Sequence, residues 1–132
     1  MESDLASQVR VDYPDLRFTR GARYAFRPPR TIVIGPVEQG GDLQLLHEIG
    51  HALLKHRDFR LDVERLKMET AAWEKARELA KKYGVIVDEE LIQSELDTYR
   101  DWLHQKSRCP KCGLTRFQTP DKAYHCPGCD IS

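Results

Sequence analysis

The most restrictive feature of the chain lies between Leu43 and Leu54, where LQLLHEIGHALL sets two histidines and a glutamate inside an otherwise nearly apolar run. A helix this apolar shows little polar surface on any side and belongs in an interior. Buried imidazoles and carboxylates then need partners. His47 and His51 are four residues apart, so they share one helical face and both rings can reach a single ion. Glu48 stands beside them, placed to take a proton from an activated water. His47-Glu48-Ile49-Gly50-His51 therefore points to zinc held by two histidines, one further ligand and an open position, which lowers the pKa of a water to about 7. Such a pattern most often serves peptide-bond hydrolysis. Five residues of this kind also arise by chance on surface helices, and the apolar flanks are what argue against that. The rival is a hydrogen-bonded pair of core histidines.

A third ligand follows from the next helical segment. Leu66, Trp73, Ala76, Ala80 and Tyr83 recur at helical spacing and define an apolar stripe. Glu69 falls within that stripe, whereas Glu64, Glu74 and Glu78 fall on the far side. A carboxylate in an apolar stripe is costly unless paired or metal-bound. If the first helix runs to about His56, turns through Arg57-Asp58-Phe59-Arg60 and the second returns antiparallel, a rise of about 1.5 Å per residue brings Glu69 near the level of the histidines. A salt bridge from Glu69 to Arg65 or Lys67 is the plainer alternative.

At these residues, HEIGHALLKH followed by Glu69-Thr-Ala-Ala72-Trp-Glu-Lys-Ala76, the chain resembles the gluzincin metallopeptidases of the ImmA/IrrE type and the single-domain minigluzincins. In that family the second helix carries a pattern close to E-x-[EQ]-A-[ND]-x-F-A. Glu69, Ala72 and Ala76 match it, while Ala71, Trp73 and Lys75 depart from it. The resemblance spans roughly residues 30 to 83. It implies that His47, His51 and Glu69 bind zinc, that Glu48 is the general base, and that the strand before the first helix forms an edge along which substrate aligns, although the apolar side chains of Thr31–Ile34 fit a buried sheet strand at least as well. It also implies a Tyr or His donor to the oxyanion. Tyr99, Tyr83 and Tyr24 are candidates without an order among them.

All four cysteines lie near the end, as Cys109-Pro-Lys-Cys112 and Cys126-Pro-Gly-Cys129. Two CPxC knuckles joined by a short loop form a zinc ribbon. Gly113 and Gly128 permit the tight backbone. Four thiolates close the coordination shell, so this second zinc is structural and folds a segment too small to hold itself together. Two disulfides are the rival, disfavoured in a chain whose start, Met1-Glu2-Ser3-Asp4, shows no secretory leader.

Elsewhere, Leu5 to Val11 reads as a short helix, and Leu16–Thr19, Ala22–Phe26 and Thr31–Ile34 as strands broken by Gly21 and Pro28-Pro29. Asp42 reads as the N-cap of the histidine helix. Tyr83-Gly84 ends the glutamate helix, and Asp88 opens a third whose stripe is Leu91, Ile92, Leu96, Tyr99, Trp102 and Leu103. His56 reads as surface or capping, and His104 to Arg108 as a polar linker. The expected fold is α+β: a small zincin over residues 1–105, then a zinc ribbon over 106–132, with two zinc ions per chain, one catalytic and one structural.

Forty per cent hydrophobic residues in 132 suffice for one modest core. Twenty-one basic and 21 acidic residues exclude a global polyelectrolyte partner. No apolar run approaches twenty residues, so no membrane-spanning helix is expected, and a cytoplasmic setting follows with a protein or peptide as substrate. From Lys106 onward the chain holds five basic and two acidic residues. Arg108, Lys111, Arg116 and Lys122 could give weak, salt-sensitive contact with nucleic acid. Two further readings remain open. SprT-type proteases also join HExxH to a zinc ribbon and act at DNA, but use a later His before Gly that this chain lacks. A zincin without turnover, acting as a binding module, is the other.

Overall fold

The computed structural model describes residues 3–129; the first two residues and 130–132, the last of the expected ribbon segment, lie outside that range. Ser3 caps helix α1 (Asp4–Asp12) by accepting the Ala6 N–H at 3.1 Å, and it donates its own hydroxyl to Asp42 Oδ1 at 2.8 Å. Leu5, Ala6 and Val9 bury the inner face of this helix.

A three-stranded sheet follows, with β1 (Arg17–Arg20), β2 (Ala25–Arg27) and β3 (Thr31–Ile34) in the order β1-β3-β2. The β-branched run of β3 occupies the centre because it is the only strand apolar on both faces. It pairs parallel with β1 and antiparallel with β2, so Phe18 and Phe26 flank Ile32 in one row. An edge position for the strand before the histidine helix, implied by the family resemblance, is thus not observed. β3 is buried between its neighbours, and the edge on that side is β2.

Helix α2 (Gly41–Leu53) carries the histidines. Its N-cap is Gly40, not Asp42, because the turn out of β3 needs a left-handed residue, φ 81°, which glycine adopts without strain. Asp42 sits in the first turn, where its charge still suits the helix dipole. The helix also ends earlier than His56. Leu54 is its C-cap and Lys55 takes φ 57°, while Lys55 N–H bonds Ala52 O and His56 N–H bonds His51 O, each at 3.0 Å. These two bonds are a Schellman motif.

Helix α3 (Asp62–Tyr83) returns along α2 and ends at Gly84, φ 69°, as the sequence expects. The two helices touch most closely at Gly50, where a Cβ would lie 2.7 Å from the Ala72 carbonyl oxygen. Trp73, Ala76 and Ala80 seal the interface and Glu69 is buried among them, while Glu74 and Glu78 face outward. Helix α4 (Glu89–Ser107) opens at Asp88, which accepts the Leu91 N–H at 3.1 Å. Arg77 of α3 fastens it by two 2.8 Å bonds to Glu89. The polar run from His104, read as a linker, continues α4 as its exposed last turn, and the chain leaves the helix only at Arg108.

The last segment holds a two-stranded antiparallel pair, β4 (Phe117–Gln118) and β5 (Tyr124–His125). The described residues are therefore mixed α+β, with four helices, two small sheets and a carboxy-terminal cysteine cluster.

Candidate metal centre

Two groups of side chains among the described residues bring metal-ligating atoms within 4.8 Å of one another: His47, Glu48 and His51, and the four cysteines. The first lies where α2 faces α3. His47 Nε2 is 2.8 Å and His51 Nε2 3.2 Å from the same atom, Glu69 Oε2, and the two nitrogens are 3.1 Å apart. Glu69 thus meets the histidines, as its place in the stripe predicts, and makes no salt bridge to Arg65 or Lys67. Close helix packing at Gly50 makes the approach possible. A three-residue triangle of this size matches the spacing of neighbouring donors about 2.0–2.1 Å from one tetrahedral ion, roughly 3.3 Å.

Electrostatics divide the two glutamates. Burial pushes the Glu48 carboxyl above the usual carboxylate range, against the pull of the nearby His47 and His51 charges. Glu69 is buried as well, but hydrogen bonds to both imidazoles and their charge hold it well below that range. Glu69 is held as an anion by the imidazoles, whereas at Glu48 burial favours the protonated form. Glu48 Oε2 and His47 Nδ1 are buried without hydrogen-bond partners. Such atoms in a native interior ask for a ligand or a water.

The supporting residues differ from expectation. His56, read as surface or capping, does cap α2 through its N–H, but it is half-buried and its Nδ1 lies 2.9 Å from His51 Nδ1. The Schellman motif explains this, because it folds the second residue beyond the cap back onto the third from the helix end, here His56 onto His51. Burial and the neighbouring His51 hold the His56 imidazole below its ordinary pKa. His47 has no such partner. Trp73 stacks on its ring with centroids 4.0 Å apart and planes 5° from parallel.

Glu48, His51 and Glu69 open onto a cleft of about 410 Å³ walled by Ala25 and Phe26 of the edge strand β2. Phe26 lies parallel to the His51 ring at 6.1 Å. Of the three tyrosines, Tyr83 donates to Asp12 Oδ2 at 2.5 Å and Tyr24 to the Pro36 carbonyl at 2.9 Å. Of the three, Tyr99 is the one whose hydroxyl responds to the centre: burial and the Glu69 charge push it up to about 12.

In the second group Cys109 Sγ and Cys129 Sγ are 3.7 Å apart, and Cys112 Sγ and Cys126 Sγ 3.4 Å. None of the four is in a disulfide: the separations lie well beyond the about 2.05 Å of an S–S bond and near those of four sulfurs about 2.3 Å from one zinc. The N–H groups of Cys112 and Lys111 turn toward Cys109 and lower its thiol to about 6. Gly113 is needed for its φ of 76°. Gly128 is needed for space, since a Cβ there would lie 2.7 Å from Leu114 Cδ1.

The cysteine segment is docked rather than tethered. Tyr124 Oη donates to Asp62 Oδ2 at 2.7 Å, Lys106 Nζ reaches the same oxygen at 2.9 Å, and Gln118 Oε1 accepts the Asp62 N–H at 2.7 Å. Leu61, the N-cap of α3, has no side chain able to cap, and Gln118 supplies the missing acceptor from the ribbon. Of the basic residues considered for nucleic acid, Arg116 is spent on the Lys106 carbonyl and the Tyr124 ring, which leaves Arg108, Lys111 and Lys122 exposed. Among the described residues no helix is long and apolar enough to cross a membrane. Comparison with protein-family models, curated proteins and solved structures yields no match.

Proposed function

We propose that the chain is a zinc-dependent peptidase of the gluzincin type, with a minigluzincin-like domain over residues 1–105 and a zinc ribbon over 106–132. His47, His51 and Glu69 are the ligands of the catalytic ion, and Cys109, Cys112, Cys126 and Cys129 hold a structural one. The observation that carries this reading is the convergence of both Nε2 atoms on one oxygen of Glu69, beside an unpartnered Glu48 oxygen at the floor of a cleft. A core histidine pair explains the imidazole contacts but not the cleft or the orphaned Glu48 oxygen.

A zinc ion held there supplies a Lewis acid for the scissile carbonyl and a water acidic near neutrality. Glu48 takes a proton from the attacking water and delivers it to the leaving amine nitrogen, while the water oxygen becomes part of the new carboxyl. Its raised pKa suits a group that must both accept and release a proton. His51 Nδ1 donates to His56 Nδ1, which keeps Nε2 available as a ligand. Tyr99, whose hydroxyl is pushed up by burial and the Glu69 charge, is our candidate for the donor to the oxyanion. β2 supplies the free strand edge for an extended substrate. None of the described ribbon residues lines the cleft.

Glu48→Gln tests the reading. The ligands stay in place, so zinc content holds, while cleavage of an unfolded protein substrate falls by at least about 10². Equal cleavage by wild type and Glu48→Gln, or none by either, would leave a binding module in its place.

A further inference from the structure

Arg65 stands one helical turn before Glu69 on the same face of α3 and lines the same cleft. Its guanidinium carbon lies 5.0 Å from the ring centroid of Tyr99, 5.0 Å from that of Trp102 and 5.7 Å from that of Phe59. Three aromatic faces from a loop and from α4 therefore fix a cation whose usual anchor would be a carboxylate. Among the described residues no carboxylate pairs with it. Glu69 is committed to the histidines, Asp62 to Lys106 and Tyr124, and Glu48 makes no ion pair with an arginine. Asp58 lines the same cleft but is exposed and makes no ion pair with Arg65, and Phe26, Pro28 and Met68 are the apolar part of the wall.

A half-buried guanidinium held by rings, with no ion pair of its own, is placed to receive an anion that arrives with the ligand. An arginine so held presents a planar fork that matches a carboxylate by two parallel hydrogen bonds. Resting on the peptidase reading above, we propose that Arg65 is a specificity-determining residue: it receives a carboxylate of the bound peptide close to the scissile bond. That carboxylate is either an acidic side chain or the peptide's own carboxy terminus, and the two sources share one chemistry. Arg57, the other arginine at the cleft, is exposed and not caged.

The test uses the full-length zinc-loaded protein and three small probes: N-acetylglutamate α-amide, with a side-chain carboxylate; N-acetylglutamine, with a terminal one; and N-acetylglutamine amide, with neither. Binding is followed by the Arg65 Nε–H resonance, assigned by its loss in Arg65→Lys, and by affinity. The expected result is at least about tenfold tighter binding of one carboxylate probe than of the neutral amide, with the Arg65 resonance shifting. Which carboxylate is preferred identifies the source. Arg65→Lys keeps part of the preference, while Arg65→Gln and the shape-preserving Arg65→Met abolish it with zinc content unchanged. A carboxylate could also go to the catalytic ion, so a preference that survives in Arg65→Gln overturns the proposal. So does equal binding of all three probes by wild type. Turnover is not required. Discrimination without cleavage of any peptide removes the peptidase reading and leaves Arg65 as a carboxylate receptor, whereas cleavage of matched Glu and Gln peptides at equal rates removes Arg65 and leaves the peptidase.

Discussion

The two candidate metal centres gather their donors in opposite ways. His47 and Glu69 are 22 residues apart and meet only because two helices pack closely over Gly50. The cysteines come from two turns, each with its pair of sulfurs three residues apart, in a segment with few buried side chains beyond Cys109 and Cys126. On the zinc reading proposed above, the fold makes the first site and the ion would be optional for stability there, whereas in the second the ion would make the fold. The contrast has one point of contact, Asp62, where the ribbon caps the helix that carries Glu69.

The largest effect is expected at the ribbon. Cys112→Ser removes one of four ligands from a site of the class whose zinc contributes about 10–16 kcal/mol of apparent binding energy in small peptides. One zinc is lost, and amide protection disappears over residues 109–129 while α2 and α3 remain protected. Hydrogen exchange that collapses throughout the chain would break the comparison. Next comes Gly50→Ala, which forces α3 away from α2, since the new Cβ meets the Ala72 carbonyl oxygen at 2.7 Å. Overpacking of this kind destabilises by about 1–3 kcal/mol. Zinc affinity should fall at the histidines alone, measurable by competition with a chelator while the ribbon stays loaded.

His56→Ala sharpens the contrast further. It removes the partner of His51 Nδ1, for which about 10- to 100-fold loss of metal affinity is typical, and leaves global stability nearly unchanged. Equal zinc affinity in this variant and wild type would reduce His56 to a bystander. The smallest effect is expected from Gln118→Ala with Tyr124→Phe. Together they remove the foreign cap of α3, worth about 1 kcal/mol, and lower the melting temperature by roughly a few degrees with both zinc ions retained. Loss of the ribbon zinc in that double variant would show that docking, and not coordination, holds the ribbon together.

What the sequence discloses follows the same division. The cysteine knuckles and the HExxH helix are local patterns, set by spacing of a few residues, and they are legible without tertiary information. Glu69 is legible too, because a carboxylate in an apolar stripe contradicts its own helix. His56 is harder. It falls outside the helical period of α2, and only the left-handed turn at Lys55 swings it back onto His51. The order of the sheet is harder still, since strand order depends on long-range pairing and not on the alternation within a strand. Nor does composition distinguish a linker from an exposed helix end, so the polar run after Leu103 reads as either. Asp62 shows the limit most clearly. At the first position of α3 it reads as an ordinary acidic residue favoured by the helix dipole. Its burial, at 6% exposure, comes from ribbon residues 56 and 62 positions away.

Zinc counting with a single ligand removed tests the account most directly. The protein as it stands should hold two zinc ions per chain, and Glu69→Ala should hold one while its circular dichroism stays that of a folded, helical chain. Cobalt substitution locates the ion that remains: sulfur-to-cobalt charge-transfer absorption persists in Glu69→Ala, because the tetracysteine site is intact. One zinc in the wild-type protein, unaltered by Glu69→Ala, would contradict the assignment of His47, His51 and Glu69 as a metal centre, and with it the hydrolytic reading built on Glu48.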